Sequence, residues 1–277
     1  MLIDNNIKSK IEKHVNGFDI LYWINLDRSN ERRTNMLQML SYFPVPNIRI
    51  TAVDGKNSSD EVIHNMITTT NYNGSKIEFA CLLSHLNTIK IFTESSYNIA
   101  LIMEDDMNLE FVKYWIKDIN TIIMEAPPDW DIIQLSYIRY SHLKLTSYYT
   151  RNNNSIWGTG AYLININGAK KLMNYINQDD KFNLHGVTPI ADTFLYTMLI
   201  SYIYKYPYFT YADDNESTIH EDHLALHLNS KLSIIKELKQ YYKSSDEFVN
   251  SEYSNKNDIM VVVFYIIIFT SIIFIVK

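Results

Sequence analysis

The chain has 277 residues, with 7 Gly, 6 Pro and 1 Cys, 47% hydrophobic and 20% charged residues, and a formal net charge of −6. This composition is that of a globular protein and excludes a disordered or collagen-like chain, while one Cys excludes a disulfide framework or a Cys-ligated zinc site. The acidic balance leaves no Lys/Arg stripe for nucleic acid, so no nucleic-acid partner is expected. Phosphate-cradling loops are excluded as well: there is no P-loop, and Gly158-Thr159-Gly160 has Leu163 where a dinucleotide fingerprint needs its third Gly.

The opening segment, Met1 to Asn16, is polar and carries Asp4, Lys8, Lys10, Glu12, Lys13 and His14, unlike the apolar region of a signal peptide. Residues 1–17 are therefore expected as a polar N-terminal segment ahead of one domain over residues 18–242. Phe18 to Leu26 is apolar and rich in β-formers, and a turn at Asp27 to Asn30 precedes a helical segment from Glu31 to Leu40. A strand over Ile48 to Val53 stops at Asp54-Gly55. Helical spacing of Leu82, Leu83, Leu86, Ile89 and Phe92 predicts a helix over Phe79 to Glu94, and Tyr97 to Met103 reads as a buried strand. A helix is expected over Leu109 to Met124, strands at Asp131 to Leu135 and Ala161 to Ile164, and a helix from Asn167 to Ile176. Strands alternating with helices predict an α/β sheet with ligands gathered at the carboxyl ends of its strands.

Past this domain, residues 243–258 are polar and read as a stalk. Ile259 to Val276 is then 18 residues without a charge, about 27 Å as a helix, and reads as a single C-terminal transmembrane helix. The expected placement is a single-pass membrane protein with its soluble domain in the cytosol.

Three constellations carry candidate chemistry. Glu104-Asp105-Asp106 ends a buried strand; alternation puts Glu104 and Asp106 on one face, where they suit a hard cation bridging to a diphosphate, and a solvated acidic turn is the competing reading. Asn25, Asp27 and Arg28, with Arg32 and Arg33, end the first strand, where polar groups and helix N–H groups can meet a nucleotide; an ordinary surface loop is an equal contender. Asp192 opens an apolar helix and suits a general base for an acceptor hydroxyl, with a helix cap as the alternative. His220, His223 and His227 share a helical face but miss the His-Glu-x-x-His pattern, and a solvated face is the simpler reading.

Six segments, in order, resemble glycosyltransferase family 25. They are Ile24-Asn25-Leu26-Asp27-Arg28 with Arg32, Ala52-Val53-Asp54-Gly55-Lys56, Ala80-Cys81-Leu82-Leu83-Ser84-His85, Glu104-Asp105-Asp106, Gly158 to Ile164 with Gly168-Ala169, and Pro189 to Asp192. The resemblance implies a GT-A-like, Rossmann-like fold in a single domain and inverting transfer of a hexose, galactose or glucose, from a UDP-sugar to a glycan or glycoprotein hydroxyl. It implies a divalent metal, Mn²⁺ or Mg²⁺, held by Glu104 and Asp106. It also makes Asp192 the catalytic base and assigns the donor pocket to Asn25, Arg28, Asp54, Lys56, Ser84, His85 and Asp105. Ala80 replaces the family's Gly, and Ala191 stands where a polar neighbour is common. Two other classes compete: an inactive GT-A-like protein that binds sugar nucleotide or glycan at the membrane, and a metal-dependent phosphohydrolase, for which the acids lack nearby His ligands.

Overall fold

The computed structural model describes residues 5–68, 75–139, 143–178, 181–212 and 224–245. The expected transmembrane helix at 259–276, most of the stalk, His220 and His223 lie outside these residues. Among the described residues no helix is long and apolar enough to cross a membrane.

In chain order the helices are α1 (Asn5–His14), α2 (Asn30–Leu40), α3 (Asp60–Met66), α4 (Lys76–Thr93), α5 (Ile119–Glu125), α6 (Ile166–Ile176), α7 (Ala191–Met198) and α8 (Leu224–Lys243). The strands are β1 (Ile20–Asn25), β2 (Asn47–Thr51), β3 (Ile99–Glu104), β4 (Met107–Asn108), β5 (Ile132–Gln134), β6 (Tyr149–Arg151), β7 (Ala161–Asn165), β8 (Asn177–Gln178), β9 (Lys181–Phe182), β10 (Ser201–Tyr204) and β11 (Thr210–Tyr211). The chain divides into two compact units at Ile235 and Lys236, inside α8. Of the second unit, the described part is the remainder of that helix and the two residues after it.

Seven strands form one mixed sheet in the order β2-β1-β3-β7-β5-β10-β6. β1 pairs parallel with β2 and β3, whereas β7 runs antiparallel to both β3 and β5. All six residues of β1 are buried, the signature of a strand covered on both faces. Alternation sorts the side chains into two cores. Tyr22, Ile24, Ile102, Tyr162 and Ile164 join residues of α4, α6 and α7 on one face. Leu21, Trp23, Leu101, Met103, Ala161 and Leu163 face the other way, onto Met36, Ile119 and the aromatic pair Trp115 and Phe209. The segment expected to be merely polar, residues 1–17, contains α1, whose Ile11 joins this second core.

The helix expected over Leu109 to Met124 is broken. A single 3₁₀ turn spans Val112–Tyr114, and α5 starts afresh behind Asp118, whose carboxylate caps Thr121 N–H at 2.6 Å. Trp115 accounts for the break. Its indole stacks on Tyr208 at 4.4 Å and donates to Tyr208 O at 2.9 Å, holding its backbone extended. α4 has a stronger start, with a reciprocal capping box between Ser75 and Glu78.

The antiparallel direction of β7 positions the site. Met103 of β3 pairs with Ala161 of β7, and Glu104 N–H donates to Gly160 O at 2.8 Å. The segment entering β7 therefore lies beside the residues leaving β3, at the edge where β1, β2 and β5 also end.

Candidate active site

A cavity of about 990 Å³ opens at that edge. The residues that line it include Arg28, Arg32, Gly55, Lys56, Cys81, Ser84 and His85, the whole triplet Glu104 to Asp106, and Trp157, Gly158, Thr159, Asp192 and Tyr211. His227, Leu228 and Lys231 of α8 line it as well. Carboxylates far apart in the sequence converge here: the charges of Glu104, Asp106 and Asp192 all act on Tyr211, whose phenol is held well above its ordinary pKa, first by burial and then by these acids.

Glu104 is the last residue of β3 and shares the face of Ile102, toward α4. There Thr159 Oγ1 donates to Glu104 Oε1 at 2.7 Å, and His85 Nε2 lies 3.4 Å from the same oxygen, outside hydrogen-bond geometry. His85 Nδ1 is 3.1 Å from Tyr162 Oη, which fixes the ring. Burial pushes the Glu104 carboxyl upward, but His85, the Thr159 hydroxyl and the Arg32 charge outweigh it, and it settles below the ordinary glutamate value.

The alternation expected to continue through the triplet stops at Glu104, because Asp105 and Asp106 form the turn into β4. Asp105 points at β1 and α2, accepting from Asn25 Nδ2 at 2.6 Å and Arg32 Nη1 at 3.1 Å. Burial raises its pKa despite those partners. Arg32 Nη1 also lies 3.8 Å from Asp106 Oδ2, so one guanidinium serves two acids.

Asn25, expected among the donor-binding residues, is buried and absent from the cavity wall. Its side chain bonds to Asp105, Ser29, Arg33 and Arg49, using the full capacity of a carboxamide. Arg28 and Asp54 pair at 2.8 Å. The Asp54 carboxylate also accepts from Lys56 N–H and Asn57 N–H, and although burial opposes it, Arg28 and these donors hold Asp54 below its ordinary pKa. Gly55 is required in this turn: a Cβ there would stand 2.7 Å from the Ile77 Cα of α4. Ser84 ties the same loop to α4, accepting from Val53 N–H at 2.9 Å and donating to Ala80 O at 2.7 Å.

Asp192 lies in the first turn of α7 and is more than a cap. One oxygen accepts from Thr193 N–H at 2.6 Å, and the other from Gly158 N–H at 2.9 Å. Cys81 lines the cavity, its thiol pushed well up by burial and by Glu104, Asp192, Asp106 and Glu78. It is therefore a poor nucleophile. His227 packs against Tyr211, the rings 5.3 Å apart. Tyr137 and Ile138, shortly after β5, line the cavity as well.

Among the described residues, no group of three or more His, Cys, Asp or Glu side chains is gathered so as to hold a metal by itself. Two carboxylates, Glu104 and Asp106, do face the same cavity. That donor set fits a hard cation such as Mg²⁺ or Mn²⁺, which takes one or two protein carboxylates and completes its shell with phosphate oxygens and water. Thr159, Tyr196 and Tyr211 were not foreseen as site residues. Thr159 lies inside a motif already noted, and Tyr196 stands four residues beyond Asp192 on its helix.

An α/β sheet thus gathers acids, arginines and lysines around one cavity at the carboxyl ends of its strands. Residues 18–183 match glycosyltransferase family 25 (LPS biosynthesis protein), and the chain belongs to that family. It is similar to procollagen galactosyltransferase 1 of Danio rerio, 30% identical over 173 residues, which covers 57% of this chain and 28% of that protein. Procollagen galactosyltransferase 2 of Homo sapiens is 29% identical over 174 residues, with the same two coverages. The chain thus matches little more than a quarter of the length of these relatives. Among solved structures, mouse xyloside xylosyltransferase 1 in its apo form overlays 70% of this chain and 75% of its own at 12% identity and a TM-score of 0.34.

Proposed function

We propose that the chain is an inverting glycosyltransferase of GT-A-like fold that moves a hexose, galactose or glucose, from a UDP-sugar to a hydroxyl of a glycan or glycoprotein. The observation that carries this reading is the cavity at the strand ends, where Asp192, Glu104 and Asp106 meet Arg28, Arg32 and Lys56. Asp192 takes the proton of the acceptor hydroxyl while its oxygen attacks the anomeric carbon. The bond from that carbon to the diphosphate oxygen breaks, and its electron pair leaves on the nucleoside diphosphate. Arg28 and Lys56 face the departing charge, and a preorganised cation there stabilises it as it develops. Glu104 and Asp106 would hold a Mn²⁺ or Mg²⁺, which when bound neutralises diphosphate charge. The apolar segment at 259–276 supports a membrane-anchored enzyme with its catalytic domain in the cytosol.

A donor screen tests the reading: full-length protein in detergent with a panel of nucleotide sugars and Mn²⁺, following free nucleotide. Turnover of a UDP-hexose is expected, and absence of binding and turnover with every donor would overturn it. Full activity of Asp106→Asn would remove the metal assignment. Protease protection of the soluble domain in sealed microsomes would overturn the cytosolic placement.

A further inference from the structure

Asp192 and Tyr196 stand four residues apart on α7, which puts both on one face of the helix. Both grip one residue of a distant segment. Gly158 N–H donates to Asp192 Oδ2 at 2.9 Å, and Tyr196 Oη donates to Gly158 O at 2.6 Å. Gln134 Nε2 adds a second donor to that carbonyl at 3.1 Å, and Gln134 Oε1 accepts from Asn152 Nδ2 at 2.6 Å. The peptide group that carries the Gly158 N–H is fixed at its other end, where Ile138 N–H donates to Trp157 O at 2.8 Å. Only glycine serves at this point, since φ is +100° and a Cβ would stand 2.5 Å from Tyr211 Oη.

We infer that Tyr196 is a positioning residue for Asp192, acting through the Gly158 backbone. The next residue, Thr159, donates to Glu104 Oε1 at 2.7 Å, so this short strap also sets the spacing between Asp192 and the acid at the end of β3. The geometry stands on its own, and the kinetic consequence rests on the transferase reading above. A base displaced by about 1 Å from an immobilised acceptor hydroxyl loses on the order of 100-fold in rate. Water can follow a displaced carboxylate. It attacks the same carbon when no acceptor is bound, giving free sugar and nucleoside diphosphate, and so it suffers less.

Tyr196→Phe isolates the hydroxyl, because it keeps the buried ring. The ratio of transfer to donor hydrolysis is expected to fall at least tenfold, with the donor KM unchanged. This ratio does not depend on how much of the sample is folded, so equal losses of transfer and hydrolysis, or no loss, would overturn the assignment. Amide hydrogen exchange provides a readout without catalysis: the Gly158 amide is expected to exchange about tenfold faster in Tyr196→Phe, with the β3 amides unchanged. Unaltered exchange at Gly158 would overturn the clamp. If the wild type turns over no donor, the transferase reading fails, and the exchange result alone upholds or overturns the clamp.

Discussion

Asn25 Nδ2 donates to Asp105 Oδ2 across 2.6 Å, tying the last residue of β1 to the turn that follows β3. The contact makes Asn25 a joint between β1 and the acidic turn. Its other bonds reach Ser29, Arg33 and Arg49, so it holds the loop that carries Arg28 as well.

Asn25→Ala removes a buried side chain from four part-buried partners at once and leaves Asp105 with Arg32. A loss of about 3 kcal/mol in folding stability is expected, in the range for breaking a buried polar network. Urea denaturation at neutral pH measures it. An unchanged midpoint with lost donor binding would reverse the conclusion and make Asn25 a ligand.

Arg28 behaves differently. Its pair with Asp54 is partly exposed on both sides, so screening by solvent leaves it worth less than about 1 kcal/mol. Arg28→Ala should therefore barely move the denaturation midpoint, yet weaken UDP-sugar binding about tenfold, or about 1.4 kcal/mol. Calorimetric titration at two salt concentrations checks this. Wild-type affinity should fall with salt more steeply than that of the variant.

Glu104 gives a pH signature. Its folded pKa is depressed, so its stabilising contribution is present above the unfolded value of about 4.3 and is lost as pH falls through the folded value. The stability difference between wild type and Glu104→Gln should be largest near neutrality and shrink below about pH 4.3. A difference that grew on acidification would contradict the arrangement with His85 and Thr159.

Two glycines offer an internal comparison. Gly186 has φ +77° with nothing within 4 Å of an added Cβ, whereas Gly158 has both a positive φ and the Tyr211 hydroxyl in the way. Gly186→Ala should cost about 1 kcal/mol, the backbone strain alone. Gly158→Ala should cost at least about 2 kcal/mol. Thermal unfolding of the two variants compares them directly, and equal costs would mean that Tyr211 moves aside freely.

The sheet strands buried on both faces were legible because their runs are apolar without interruption, and α4 because Leu82, Leu86 and Ile89 repeat at helical spacing. β10 was not foreseen, and neither was the break at Trp115, where stacking on Tyr208, 93 residues away, overrides the local helical pattern. The acidic triplet was found from its place at a strand end, but its division of labour was not. Pleating extends only as far as Glu104, and the partners of Asp105 come from β1 and α2. Asp192 was read as a base or a cap. Its bond to Gly158 could not be read locally, because 34 residues separate the two.

The insertion of β7 between β3 and β5 has a kinetic consequence. The pair β1-β2 joins segments near one another in the chain, whereas β3 must close a loop of more than seventy residues to meet β1, and β7 then one of more than fifty to meet β3; such distant pairings form slowly. Until it arrives, Thr159 is away from Glu104, Gly158 is away from Asp192, and the edge of β3 has no partner. A chain caught at that stage is at once inactive and open to strand-by-strand association with its neighbours.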